Sequence, residues 1–341
     1  MFREMLQKGV AGETFSREEA YSMMSLILDG HVTEAELSSL LTVLRFRGET
    51  VDELTGFAEC VRERATKITH RQTRVIDTCG TGGDGSSTFN ISTVSAIILS
   101  SLGIKVAKHG NSAVTSKSGS ADVLRELRIS VPETPDEASR QLEQHSLCFL
   151  FAPIFHPSLK FAGPTRKKLS FRTAFNLLGP LCNPAFPTHQ LIGAFNERAA
   201  KTISEAALNL GLNKVVVVSG LDGLDECSIS APTRFYEVND GRVRTYTLTP
   251  EDVGLTVGKL EDITVSSISE SAKVILSVLA GNGAEVANNI VAYNAGVALY
   301  ASDYVSTIQE GVKMVKEILR SGTAFGHYES IRGEQYAATN S

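Results

Sequence analysis

Three stretches near the start of the chain repeat one polar–apolar pattern. Ser16–Glu19, Thr33–Glu36 and Thr50–Glu53 each read S/T-x-x-E, the spacing of a helix capping box. Each precedes an amphipathic run: Met23, Met24 and Ile27; then Leu37, Leu40, Leu41 and Leu44; then Leu54, Phe57 and Val61. Steps of three and four predict helices whose apolar faces pack on one another. Residues 1–70 are therefore expected to form a small helical domain with no chemistry of its own. From Val75 the period changes. Short apolar segments at 75–78, 104–107, 149–152, 191–194 and 215–219 predict buried strands. Helices are expected at about 92–102 and 122–127, with further starts at Thr134-Pro135 and Thr249-Pro250. The stretch 270–319 is mostly helical in pattern. Strand–loop–helix in succession implies parallel strands joined by right-handed crossovers.

The fold class expected is thus α/β. A small all-helical N-terminal domain precedes a large α/β domain, with a mostly parallel central sheet flanked by helices. Residues 71–163 and 189–341 are assigned to the large domain. The segment 164–188, with its apolar run Phe175–Pro180, is expected to return to the helical domain.

Composition narrows the class. The 341 residues are 42% hydrophobic and 21% charged, as in ordinary globular chains. Lys and Arg number 33 against 38 Asp and Glu, so the net charge is −5, and the pI is about 5.9. That balance recruits neither nucleic acid nor a membrane surface. The longest apolar stretch, Val94–Leu102, is broken by serines and too short for a membrane span. Arg3, Glu4, Lys8, Glu13 and Arg17 interrupt any leader-like apolar core. Five cysteines form no C-x-x-C pair, which argues against a metal cluster or disulfide framework and for a reducing cytoplasm.

The candidate chemistry lies in three loops. Asp77-Thr78-Cys79-Gly80-Thr81-Gly82-Gly83-Asp84-Gly85 follows the first strand. Gly80, Gly82 and Gly85 satisfy the letter of G-x-G-x-x-G. Yet no acid occurs between Asp84 and Asp122 to hold a nucleotide ribose, so nicotinamide binding fits poorly. What remains is a backbone-lined anion site, with Asn90, Ser92 and Thr93 at a helix start. A second loop, Lys108 to Ser120, is rich in hydroxyls and cations and leaves the neighbouring strand. Both are expected to converge on one crevice beyond the carboxyl ends of the strands; the bland alternative is two surface turns. The third, Asp222-Gly223-Leu224-Asp225-Glu226, offers adjacent carboxylates suited to a hard cation such as Mg²⁺, or simply solvated acids. Arg166-Lys167-Lys168 reads by default as a solvated helix face. His31, His70, His145, His156, His189 and His327 show no zinc spacing and are taken as structural. No G-x-S-x-G elbow or P-loop lysine motif is present.

Six motifs in order carry a resemblance: Asp77–Asp84, Phe89–Thr93, Lys108–Asn111, Gly119–Leu124, Phe175–Pro184 and Asp222–Glu226. Together they resemble the anthranilate phosphoribosyltransferases of tryptophan biosynthesis, over essentially the whole chain. The resemblance implies transfer of a phosphoribosyl group from 5-phosphoribosyl 1-pyrophosphate to the amine of anthranilate, with two Mg²⁺ ions. It also implies a cytoplasmic homodimer joined through the helical domain, binding neither nucleic acid nor membrane. Matched motif by motif, Gly80, Gly83, Asp84, Thr88, Asn90, Ile91, Ser92 and Thr93 would hold phosphoribosyl pyrophosphate. Lys108, His109, Gly110, Asn111, Ser112, Ala113, Val114, Thr115, Ser116 and Ser120 would form its second wall, with Lys108 and His109 supporting the transition state. Ser92, Asp225 and Glu226 match magnesium ligands. Gly80, Asn111, Arg166, His109 and Pro180 match the anthranilate subsite. One position departs: Ser112 stands where the family commonly has Arg, and Lys117 is the cation expected to compensate. Two other readings are weighed. A pyrimidine nucleoside phosphorylase would have little use for Asp225 and Glu226, and a nucleic-acid-binding relative conflicts with the acidic charge.

Overall fold

Four helices open the chain in the computed structural model, which describes residues 1–112 and 118–338, with side chains through 332. They are α1 (Phe2–Val10), α2 (Arg17–Leu28), α3 (Glu34–Arg47) and α4 (Val51–Glu63). All three capping boxes close: Ser16, Thr33 and Thr50 accept the backbone N–H three residues on, and Glu19, Glu36 and Glu53 return the bond. The apolar positions read from the sequence, Met23 to Val61, are buried together.

The remainder is a seven-stranded sheet with helices on both faces. In chain order come β1 (Ile76–Gly80), α5 (Ile91–Ser101), β2 (Val106–Gly110), α6 (Ser120–Glu126), α7 (Pro135–His145) and β3 (Leu147–Phe151). The short α8 (Ala152–Phe155), α9 (Gly163–Leu169) and α10 (Ala174–Leu181) follow. Then come β4 (His189–Gly193), α11 (Glu197–Asn209), β5 (Lys214–Gly220), β6 (Thr233–Asn239) and β7 (Arg242–Leu248). Helices α12 (Ile268–Leu279), α13 (Glu285–Ala301), α14 (Ile308–Ser321) and α15 (Thr323–Ala338) complete the chain. The strand order is β3-β2-β1-β4-β5-β6-β7; the first five strands in that order are parallel, and β6 and β7 are antiparallel additions.

Alternation along the strands splits the core between the two faces. Val216 and Val218 join α5, α12, α13 and α14 on one side, while Val215 and Val217 join α10, α11 and the N-terminal helices on the other. Helix α9 packs on α3 and α10 on α4, so the stretch between β3 and β4 lies against the N-terminal helices. No helix among the described residues is long and apolar enough to cross a membrane.

Three local expectations are corrected. Strand β2 begins two residues later than the 104–107 pattern and runs to Gly110, because pairing with β3 continues from Val106 opposite Leu147 to Gly110 opposite Phe151. Lys108 and His109 are consequently strand residues rather than loop residues. Thr249-Pro250 opens only a 3₁₀ turn, Glu251–Val253, which Gly254 ends at φ 74°. The β6–β7 hairpin is an addition to the expected strands. Its turn has Asp240 at φ 49° and Gly241 at φ 73°, the two left-handed residues of a type I′ hairpin.

Candidate active site

The chain order reverses between β1 and β4: β2 and β3 extend the sheet one way from β1, and β4 and β5 extend it the other way. Ligands of open parallel sheets bind beyond the carboxyl ends of the strands at such a switch point. Gly80 and Gly193 are paired there, at the last positions of β1 and β4. The loop after β5 crosses directly above them. A Cβ on Gly80 would stand 2.7 Å from Asp225 Oδ2, and one on Gly193 would collide with the Asp225 carbonyl oxygen. Two glycines therefore let the 222–226 loop reach the switch point. Gly193→Ala is expected to lift that loop and lower kcat/KM about tenfold, since small displacements of reacting groups are costly; steady-state kinetics of the purified variant checks it.

The glycine loop after β1 wraps the same spot. Gly82, Gly83 and Gly85 have φ of 66°, 74° and 81°, and Ser87 has 53°. Consecutive left-handed residues turn main-chain N–H groups outward as an anion-binding concavity. Gly82 N–H donates to Asp225 Oδ2 at 2.7 Å. Asp84 accepts from Ser86 N–H at 3.2 Å and from its hydroxyl. Thr88 pairs with Thr264 at the far end of the loop.

Asp225 and Glu226 keep part of their surface open to the cleft, while their carboxyl groups sit deep among protein atoms. Burial first, then Asp84 and Glu226, push the Asp225 carboxyl well above the carboxylate range. Burial also pushes Glu226 up to about 8, against the opposing pull of Lys108 and of the Ser92 N–H, which the carboxylate accepts. The N-cap of α5, Asn90, makes no side-chain cap bond. Among the described residues no three His, Cys, Asp or Glu side chains already surround one point as metal ligands. The donors gathered here are nonetheless all oxygens carrying excess buried negative charge, which is the set a hard divalent cation takes.

Alternation in β2 sends Lys108 and His109 to opposite faces. Lys108 is 3% exposed, and its ammonium donates to the Thr78 carbonyl and, at 3.0 Å, to Ser92 Oγ. It is a buried strand side chain whose charge favours the Glu226 carboxylate, instead of lying free in a loop. His109 Nδ1 bonds the Gly179 carbonyl at 3.0 Å, beside the buried Pro180. The other nitrogen, Nε2, is buried without a partner, as is Nε2 of His156, whose ring lies 5.1 Å away. Burial depresses His109 to about 3 and His156 to about 4. Both rings are neutral in the fold and protonate more readily when unfolded, so the unfolded state binds more protons below the ordinary histidine pKa of 6.5. Stability is expected to fall as pH drops from about 6.5 toward 4, and His109→Gln with His156→Gln should flatten that slope in thermal melts.

The remaining sequence candidates fall into two groups. Asn90 Oδ1 accepts from the Ser118 and Ser271 hydroxyls at 2.7 and 2.8 Å, and its Nδ2 donates to the Ser118 carbonyl at 3.1 Å. It ties the glycine loop to the far end of the second loop, where the two were expected to converge. Asn111 accepts on its carbonyl from Ser120 Oγ at 3.2 Å, and on its side chain from Ser112 N–H at 2.8 Å. Gly110 ends β2 where a Cβ would crowd Phe149 and Ser120. Ile91 and Thr93 are buried side chains, which leaves their contribution to the backbone. Ala113, Val114, Thr115, Ser116 and Lys117 lie outside the described residues. Arg166, on α9, departs from the solvated-face default: it is half-buried, with its guanidinium 4.9 Å from the Phe175 ring centre. Burial lowers its pKa.

Three contributors escape a reading of the sequence. Asp77 is fully buried and accepts from His109 N–H at 3.1 Å and Asn183 Nδ2 at 2.8 Å, locking β1, β2 and the return segment together. His156 has no suitably spaced partner along the chain, because His109, which it meets in space, is distant in sequence. Arg172 reaches the glycine loop from just before α10. None carries a local signal beyond its place in a quoted motif.

The profile described as "Glycosyl transferase family, helical bundle domain" matches residues 3–65, and "Glycosyl transferase family, a/b domain" matches residues 72–325. Anthranilate phosphoribosyltransferase of Geobacillus sp. (strain WCH70) is 49% identical over 97% of this chain and 98% of that protein. The chain belongs to the anthranilate phosphoribosyltransferase family. The crystal structure of a member from Thermus thermophilus superposes with a TM-score of 0.90 at 35% identity, covering 97% of this chain and 99% of that one. A Saccharomyces cerevisiae anthranilate phosphoribosyltransferase in complex with PRPP and Mg gives 0.89 at 25% identity, covering 98% of both. The small helical N-terminal part and the mostly parallel sheet are thus family architecture, and the chain is a glycosyltransferase.

Proposed function

We infer that this cleft is where the chain transfers the phosphoribosyl group of 5-phosphoribosyl 1-pyrophosphate to the amine of anthranilate, releasing pyrophosphate, in tryptophan biosynthesis. The observation that carries the reading is the convergence of a left-handed glycine loop, a helix start and buried carboxylates at one switch point. Positive charge develops on the ribose as the C1–pyrophosphate bond breaks, while the aromatic amine brings its own lone pair. The task of the protein is therefore to hold the leaving group and align the two substrates. The N–H groups of residues 83–85 are offered to the phosphates, the Gly82 N–H being held by Asp225. Ser92, Asp225 and Glu226, with Asp84, would hold two Mg²⁺ ions. Mg²⁺ bound there supplies charge neutralisation to the departing pyrophosphate. Lys108, bonded to Ser92, would steady that side of the site and support the transition state. The neutral ring of His109, Gly80, Asn111 and Pro180 line the aromatic subsite, and Arg166 pairs with the anthranilate carboxylate.

The same reading places residues 1–70 with 164–188 in the helical domain, and 71–163 with 189–341 in the substrate domain. A homodimer through the helical domain is what the family resemblance implies. The net charge of −5 argues against binding nucleic acid or a membrane surface, and the free cysteines fit a reducing cytoplasm. Loss of anthranilate fluorescence on adding phosphoribosyl pyrophosphate, with and without Mg²⁺, tests the assignment. No loss at high enzyme concentration would defeat it.

A further inference from the structure

Arg172 reaches the glycine loop from the segment that also carries Arg166. Its Nη1 donates to the Gly83 carbonyl, and its guanidinium lies 4.2 Å from the Phe195 ring centre. Phe195 is anchored to the same loop, because its N–H donates to Thr81 Oγ1 at 3.2 Å. Four residues beyond Arg172, Asn176 Nδ2 donates to the Thr81 carbonyl at 3.4 Å. Two carbonyls of the loop are thereby gripped by one short stretch ahead of and within α10.

The grip on Gly83 has a particular consequence. The peptide unit is planar and trans, so its carbonyl and the following N–H point in opposite directions. Fixing the Gly83 oxygen fixes the direction of the Asp84 N–H. Gly83 has φ 74°, and a glycine peptide between glycine-rich neighbours turns over easily. The Phe195 ring beneath it holds the guanidinium in place, a contact that a lysine ammonium reproduces only in part.

We propose that Arg172 is a positioning residue that locks the Gly83–Asp84 peptide, so that the Asp84 N–H faces the diphosphate of phosphoribosyl pyrophosphate. The proposal rests on the function assigned above. It does not require Arg172 to touch either substrate. Removing the side chain frees the peptide, and the cost falls on the phosphate-bearing substrate alone.

The test compares Arg172→Ala, Arg172→Gln and Arg172→Lys with the unaltered full-length enzyme. Calorimetry with phosphoribosyl pyrophosphate and Mg²⁺, without aromatic acid, gives Kd; steady-state assays give both KM values; thermal melts report the fold. Arg172→Ala is expected to raise Kd and KM for phosphoribosyl pyrophosphate about tenfold, as for loss of a charged hydrogen bond. The anthranilate KM at saturating phosphoribosyl pyrophosphate should stay within about twofold, and Arg172→Lys should recover part of the loss. Should Arg172→Ala fail to fold, the Gln and Lys variants carry the same comparison. An unchanged Kd, or equal losses for both substrates alongside a lowered melting temperature, overturns the proposal. Absence of turnover in the unaltered enzyme would instead defeat the functional reading, while the calorimetric comparison would still decide the lock.

Discussion

Asp225→Asn combined with Glu226→Gln is expected to lower turnover by at least about a hundredfold and to leave the protein folded. Removal of one preorganised electrostatic group costs on the order of a hundred- to a thousandfold in such sites, and this variant removes two. The fold survives for a physical reason. Both carboxyls are pushed up by burial and by neighbouring negative charge, so their ionised forms are held at a cost to stability. The amides keep the shape and still accept from Gly82 N–H and Ser92 N–H, while Lys108 retains Asp77 nearby. The melting temperature without Mg²⁺ should therefore match or exceed that of the unaltered protein. Fluorescence assays and thermal melts measure the two halves. Near-normal turnover would remove the metal site from this loop.

The parts of this design that are legible in the sequence are those written locally. Ser16, Thr33 and Thr50 announce their helices because a capping box is complete within four residues. The glycine loop and the 222–226 acids stand out because left-handed turns and hard-cation ligands demand special residue types. What depends on pairing across the sheet is not legible. The register of β2 is set by β3, so the face taken by Lys108 and the one taken by His109 follow only from the strand partners. The β6–β7 hairpin does have a signal, Asp240-Gly241 between alternating residues, which the stronger helical patterns around it overshadow. Gly193 does not stand out, since its bareness matters only because Asp225 crosses over it. His156 and Arg172 belong to the site through contacts with residues far away in the chain.

Arg166 differs in its surroundings from the two other cations of the same run. Lys168 is exposed and pairs with the exposed Glu34 at 2.7 Å, an interaction worth about 0–1 kcal/mol. Lys167 is exposed as well. Arg166 is half-buried, burial works against its charge, and its guanidinium makes no hydrogen bond or ion pair among the described residues. A guanidinium stays charged even so, and holding one away from water without a carboxylate is unfavourable. Under the proposed function, anthranilate would bring the missing carboxylate. Arg166→Ala should then raise the anthranilate KM roughly ten- to a hundredfold, the equivalent of ~1.5–3 kcal/mol for a charged hydrogen bond. The KM for phosphoribosyl pyrophosphate should move far less, because the proposed function puts that substrate on the glycine loop. Removing an unpaired buried charge also predicts a melting temperature unchanged or slightly raised, whereas Lys168→Ala loses a surface pair and should fall marginally. Lys167→Ala and Lys168→Ala change the charge by the same amount, so they isolate position from electrostatics. Equal effects on the anthranilate KM from all three variants would describe a diffuse basic patch and take the carboxylate clamp away from Arg166.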